Sequence, residues 1–346
     1  MASTPKRRGQ KRKPRTAPKR RVALTGARTY MGERLVASLE ADERCEHILI
    51  CDSAPPANVG PKTRFAQLDL TRPDADGYMA GLLEEERIDT LCHLAFLAFP
   101  SHASSWAHEV EAIGSLYVMN AAAAAKVRKV VMSSTTMVYG AHSHNPNYLT
   151  EEEPLRGTPS SRWVNDKVSA ERELMRLKMD APEIITTSLR FGIVVGPSVR
   201  GFFPRVLDRD VIVRFMGYDP LMQFVHEDDA QQALLKAVWE DHQGPFNVVG
   251  DGVVYLSDVA RIGGKVPLTV PHTLAQPLTT LLWGLQVVDI PGAFLDFFRY
   301  SWCGDNRRMR NVMGFEPRYS SREALIEFFG SHGVAIRQQA QGASDG

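Results

Sequence analysis

Gly26 and Gly32 flank a short turn in this chain of 346 residues, and Asp52 follows Gly32 at a distance of about 20 residues. A glycine-containing turn between a strand and a helix lets backbone N–H groups and the helix N-terminus face a pyrophosphate. An acid about 20 residues further on can bond ribose hydroxyls. The spacing therefore predicts a dinucleotide site. Asp52 favours NAD, because a carboxylate there repels the 2′-phosphate of NADP. Arg28, inside the turn, argues the other way, since a guanidinium there could pair with that phosphate. NAD is the preferred expectation and NADP stays open.

Such a site needs a strand before the turn and a helix after it. The apolar run 22–25 enters the turn, and Leu35, Val36 and Leu39 leave it at helical spacing. A second apolar run, 47–51, ends at Asp52 and gives way to Ser-Ala-Pro-Pro, as a buried parallel strand ends in a loop. Further strands are predicted at 65–68, 89–94, 129–132 and 184–189, with helices over 75–86, 104–126 and 163–179. This alternation predicts an α/β fold, a Rossmann-type doubly wound parallel sheet with ligands at the carboxyl ends of its strands. The NAD(P)-binding Rossmann domain spans 22–195 in this reading. After 195 the alternation weakens, and Pro, Gly and aromatics increase. Residues 196–335 are expected to form mainly a smaller C-terminal substrate lobe, with segments returning to the core. Helices at 227–240 and 321–330 and a strand at 246–249 belong to this part, and 336–346 to a flexible tail.

Composition fits a soluble globular chain, with 44% hydrophobic and 23% charged residues. The net charge of +1 hides an asymmetry, because residues 1–21 carry ten Lys or Arg and no acid. The rest of the chain is near −9. A segment this basic, with three prolines and no large apolar residue after Met1, is expected to be a disordered arm. It could contact nucleic acid or another acidic surface, or serve only as a solubilising tail. The uncharged run 266–288 holds three prolines, a histidine and four threonines, so it predicts no transmembrane segment but a loop followed by a packed or surface-lying helix. Cysteines 45, 51, 92 and 303 form no metal-like or redox pair, and no signal-peptide pattern opens the chain, so a cytoplasmic setting without a metal is expected.

The same segments resemble the extended short-chain dehydrogenases/reductases, which include NAD-dependent sugar epimerases and dehydratases. Thr25-Gly-Ala-Arg-Thr-Tyr-Met-Gly32 is similar to that family's T-G-x-x-G-x-x-G turn, and Asp69-Leu-Thr to its adenine-side acidic motif. His93-Leu-Ala95 resembles the H-x-A segment beside the cofactor. Ser133-Ser-Thr-Thr-Met-Val-Tyr-Gly140 and Phe224-Val-His-Glu-Asp-Asp229 resemble two further motifs, and the likeness runs from about 21 to about 319. It implies cofactor contacts at Gly26, Arg28, Tyr30, Met31, Gly32, Asp52, Asp69, Leu70, Leu94, Ala95 and Lys167. It also implies a homodimer built through two helices per subunit, here 104–126 and 163–179.

In that family a Tyr moves a proton while hydride moves at the nicotinamide, and a Lys four residues on lowers its pKa and holds the ribose. By register the Lys is Lys167, Glu171 follows as the family often has, and Trp163 stands at the Tyr position. Indole N–H only donates; it can hold a carbonyl oxygen but cannot shuttle a proton. Thr135 supplies the small hydroxyl that the resemblance places against substrate. Thr29 replaces the middle glycine, adding a side chain where backbone should approach phosphate. Glu111 stands where an Asn is expected, while Gly192 and Val195 depart at positions that favour a nucleotide-diphosphate sugar. Tyr139, Tyr148, His142 and His144 are the candidates for a substitute proton carrier, though such residues more often serve in loops or packing.

Two functions follow. One is an epimerase/dehydratase-like protein, an atypical oxidoreductase on a hydroxyl/keto or nucleotide-sugar-like substrate, using Thr135 and Lys167 with water or a neighbouring side chain as proton carrier. The other is a catalytically degenerate dinucleotide-binding sensor or scaffold that uses its basic arm for partner contact.

Overall fold

In the computed structural model, residues 19–158, 161–288 and 290–331 are described, so the expectations for 1–18 and 336–346 lie outside the described residues. The strands are β1 (Arg20–Thr25), β2 (Cys45–Asp52), β3 (Thr63–Gln67), β4 (Thr90–His93), β5 (Lys129–Thr135) and β6 (Ile185–Phe191). Then come β7 (Ile193–Val195), β8 (Val211–Phe215), β9 (Leu221–Met222), β10 (Phe224–His226), β11 (Gly244–Val248), β12 (Val254–Tyr255) and β13 (Val266–Val270). Seven strands make one sheet in the order β11-β6-β5-β4-β1-β2-β3, and every neighbouring pair in it is parallel. The chain builds outward from β1 to β3, then returns to the other side of β1 for β4. That reversal opens a crevice at the carboxyl ends of β1 and β4, where ligands of such sheets sit.

Helices α1 (Tyr30–Ala41), α2 (Ala75–Glu85), α3 (Ser104–His108), α4 (Gly114–Ala124), α5 (Arg162–Asp180), α6 (Phe202–Leu207) and α7 (Glu227–Trp239) follow the strands. Later come α8 (Leu256–Ile262), α9 (His272–Gly284), α10 (Arg307–Asn311) and α11 (Ser321–Ser331). Side chains alternate across each strand, so Val22 and Leu24 of β1 join a core with Leu35 and Leu39 of α1 and Leu234 of α7. Ala23 faces the opposite core, formed with Met79 of α2, Val118 of α4 and Leu174 of α5. A third core is rich in aromatics, among them Phe202, Phe203, Phe294, Phe297 and Trp302.

Four expectations need correction. Arg20 and Arg21, assigned to the basic arm, belong to β1: the Arg21 N–H donates to Asp89 at 2.7 Å, and its guanidinium pairs with Glu86 at 3.2 Å. The helix expected over 104–126 is three pieces, because a π-helical turn at Glu109–Ile113 separates α3 from α4. The strand expected at 246–249 is β11 and belongs to the main sheet, at its edge. In the run 266–288, the first residues form β13, paired in parallel with β8, where a loop was expected. Helix α9 lies on the surface, as its composition predicts, with no buried residue and with Leu274, Leu278 and Leu281 each more than half exposed. Among the described residues no helix is long and apolar enough to cross a membrane, and the four cysteines are free and buried.

His93, the last residue of β4, ties three elements together. Its Nδ1 lies 2.6 Å from the Thr25 hydroxyl of β1, and its Nε2 2.8 Å from the Ser115 hydroxyl of α4. Ser115 donates to the Glu111 carbonyl, so it must accept from His93; the proton sits on Nε2, and Nδ1 accepts from Thr25. Complete burial pushes the imidazole pKa down from 6.5 to about 3. Between these values the folded chain binds fewer protons than the unfolded chain, so stability rises with pH and is lost as pH falls. Chemical unfolding followed by circular dichroism is therefore expected to show stability falling below pH 6.5. His93→Gln is expected to have a shallower slope, by up to about 1.4 kcal/mol per pH unit.

Candidate active site

The turn after β1 is closed too tightly for side chains at its two glycines. Gly26 has φ +74, and a Cβ on it would lie 2.3 Å from the backbone of Leu94; one on Gly32 would lie 2.1 Å from the Gly26 carbonyl. Thr29 caps α1. Its hydroxyl donates to the Gly26 carbonyl at 2.7 Å and accepts the Gly32 N–H at 3.1 Å. The side chain expected to intrude on a phosphate is thus folded back to brace the turn. The Tyr30 and Met31 amides, in the first turn of α1, have no intrahelical acceptor and form the open end of the helix. Arg28 is exposed in the same turn.

At the end of β2, one Asp52 oxygen accepts the Ser53 N–H at 2.7 Å, and the other is buried without a hydrogen-bond partner among the described residues. A ribose hydroxyl is the donor such an oxygen lacks. Asp69 is exposed and turns the chain after β3 by accepting the Thr71 N–H and hydroxyl at 2.9 and 2.8 Å. Leu70 beside it is buried, and Leu94 and Ala95 follow β4. The glycine turn, Asp52, the Asp69–Leu70 step and the Leu94–Ala95 step therefore all follow the carboxyl ends of consecutive strands of one sheet. The cleft fits a dinucleotide: close backbone approach at the glycines, free amides at a helix N-terminus and an unpaired acid.

The other side of the cleft is built by α5, a helix without Gly or Pro whose Trp163, Lys167 and Glu171 fall four residues apart on its buried face. The Lys167 ammonium lies 2.8 Å from a Glu111 carboxylate oxygen, 4.6 Å from the Trp163 ring and 5.6 Å from that of Phe96. Glu111 comes from the π-helical turn and is fully buried. Burial pushes its carboxyl above the usual range; Lys167 and the Leu97 N–H, donated at 2.5 Å, oppose that shift. Its second oxygen is buried without a partner among the described residues. The Trp163 indole N–H donates to the Leu97 carbonyl at 3.2 Å, so it is not available to hold a substrate oxygen, as its donor chemistry suggested. Thr135 ends β5, and its oxygen accepts the Met137 N–H at 3.3 Å, which leaves its own proton free to donate outward. Thr135, Trp163, Lys167, Tyr30, Met31 and Leu94 line a single cavity.

None of the four candidate proton carriers lines that cavity. Tyr139 is buried elsewhere: its hydroxyl donates to Asn247 at 2.7 Å and accepts from Arg190 at 2.9 Å, and burial pushes its pKa to about 12. Arg190 also pairs with Glu171 at 2.9 Å, so Tyr139 and Glu171 belong to one structural network between α5, β6 and β11. His142 lies 3.1 Å from the Gly157 carbonyl and stacks on His144, while Tyr148 is exposed. The sequence marked Glu111 as a departure but gave no sign of its pairing with Lys167. It also missed Leu97, Phe202, Phe203 and Trp302, which line the cavity from distant segments. The rise in aromatics after 195 was the available signal.

Fold and site define the class first: a dinucleotide-binding α/β protein. Residues 22–249 match the NAD dependent epimerase/dehydratase family, and the chain belongs to that family. An uncharacterized protein of Mycobacterium tuberculosis (strain ATCC 25618 / H37Rv) is 27% identical over 321 residues, which is 90% of this chain and 84% of the relative. Among solved structures, MoeE5 in complex with UDP-glucuronic acid and NAD superimposes with a TM-score of 0.68 at 22% identity, covering 90% of this chain and 98% of that one. A UDP-glucose 4-epimerase from Thermotoga maritima gives 0.67 at 19% identity, with coverage of 90% and 98%. At these identities the structural likeness speaks for the fold.

Tyr139→Phe tests its assignment to structure. It leaves Asn247 and Arg190 short of a buried partner, so unfolding is expected about 1–3 kcal/mol easier. Cofactor affinity, measured by calorimetry on the same sample, is expected to stay at the wild-type value.

Proposed function

We propose that this chain binds NAD and interconverts a hydroxyl and a keto group on a substrate held beside Thr135 and Lys167. The carrying observation is the contact between Lys167 and the buried Glu111 at the cavity wall. NAD, when bound, supplies the acceptor for the hydride that an alcohol carbon loses. The Tyr30 and Met31 amides would face its pyrophosphate, and Asp52 its adenosine ribose. The unpaired Asp52 oxygen opposes a 2′-phosphate, which supports NAD over NADP, although the exposed Arg28 is placed where it could pair with one.

The proton is handled by the Lys167–Glu111 pair. Reduction starts from the Lys167 ammonium, held by Glu111 at 2.8 Å, and the ammonium gives a proton to the forming alkoxide. Oxidation runs the same step backwards, with Nζ taking the substrate's hydroxyl proton. Thr135 donates its free proton to the same substrate oxygen and so fixes its position. Trp163 cannot take part in the transfer; its ring covers Lys167 and excludes water from the pair.

Calorimetric titration of the purified chain with NAD, NADH, NADP and NADPH tests this reading. Micromolar binding of NAD and NADH, with weaker binding of the phosphorylated pair, is expected. Asp52→Arg is expected to reverse that order. Absence of binding by all four, after removal of any nucleotide that co-purifies, would contradict the proposal.

A further inference from the structure

The substrate end of the cavity is walled by Leu97, Met137, Trp163, Phe202, Phe203 and Trp302. These rings touch one another: Trp163 and Phe202 are 5.8 Å apart, and Phe203 and Trp302 are 5.5 Å apart. Both tryptophans could have offered an N–H to a polar substrate. Both have turned it away, Trp163 to the Leu97 carbonyl and Trp302 to the Phe297 carbonyl, each at 3.2 Å. Only the faces and edges of the indoles remain for the ligand.

Apart from the glycine turn and Arg200, the polar side chains of the lining are Ser133, Ser134 and Thr135 at the end of β5 and Lys167 of α5. Among the described lining residues no carboxylate occurs, and the second cation, Arg200, is exposed. A sugar ring carries several hydroxyls spread around its edge. Against this wall most of them would lose water without gaining a partner, whereas a carbon skeleton with one oxygen function would satisfy both ends at once.

From this division we infer that the substrate is an apolar alcohol or ketone, with a bulky carbon skeleton against the aromatic wall and one oxygen at Thr135 and Lys167, and not a nucleotide sugar. The inference rests on the proposed hydroxyl/keto chemistry at this same cavity. The skeleton sets affinity through burial, and the single oxygen sets orientation.

The test uses the full chain, with and without saturating NAD. Calorimetry is run with 2-tetralone, a bicyclic ketone with one oxygen, and separately with UDP-glucose. One molecule of 2-tetralone per chain and no detectable UDP-glucose binding are expected. Leu97→Asn keeps the backbone bonds to Trp163 and Glu111 while placing an amide in the wall, and is expected to weaken the ketone roughly tenfold or more. UDP-glucose binding in preference to the ketone would overturn the inference, and so would a Leu97→Asn chain that binds the ketone as wild type does. A chain that binds NAD but prefers UDP-glucose strikes this inference alone. Failure to bind NAD strikes the hydroxyl/keto proposal, and the ketone titration without NAD still decides the nature of the cavity.

Discussion

The contact between Lys167 and Glu111 constrains the whole site. A lysine charge taken out of water costs several kcal/mol unless a partner compensates it. Here the partner is itself fully buried and meets Lys167 at 2.8 Å. Glu111 reaches that position from a π-helical turn, the kind of local widening that recurs at functional sites. The pair also fixes the cavity wall. Glu111 holds the Leu97 N–H and Trp163 holds the Leu97 carbonyl, so one loop residue is gripped from both sides by the groups that surround Lys167. Trp163 and Glu111, joined through Leu97 and Lys167, are therefore a single arrangement.

The sheet makes that arrangement available. Its order reverses between β1 and β4, and the crevice formed there brings the glycine turn against the backbone of Leu94. Three residues beyond Leu94 the chain reaches Leu97, so the same loop joins the cofactor side of the cleft to the substrate side. The aromatic core then closes the far wall. Phe202, Phe203 and Trp302 thus belong to a packed core and line the cavity with the same side chains.

Much of this was legible in the sequence. The β1–α1–β2 unit could be read because short apolar runs and helical spacing alternate cleanly around Gly26 and Gly32. The positions of Trp163 and Lys167 came from the resemblance, and the four-residue spacing of a helix put them on one face. The directions of side-chain protons were not legible. Whether Thr29 projects or folds back, and which carbonyl takes the Trp163 N–H, depend on atoms brought near by folding. The π-helical turn was hidden because 104–126 has ordinary helical composition, and only contact with α5 distinguishes its widened turn. The small pairs β8 with β13 and β9 with β12 were missed because strands of two to five residues carry too little periodicity to register.

A double-mutant cycle on Lys167 and Glu111, read by denaturant unfolding at neutral pH, tests the central claim most directly. Lys167→Met and Glu111→Gln are each expected to cost about 3 kcal/mol or more, because each leaves a buried partner uncompensated. The double variant is expected to recover at least about 1.5 kcal/mol relative to the sum of the two. Strict additivity of the two losses, or no loss from either, would contradict a site organised by this ion pair.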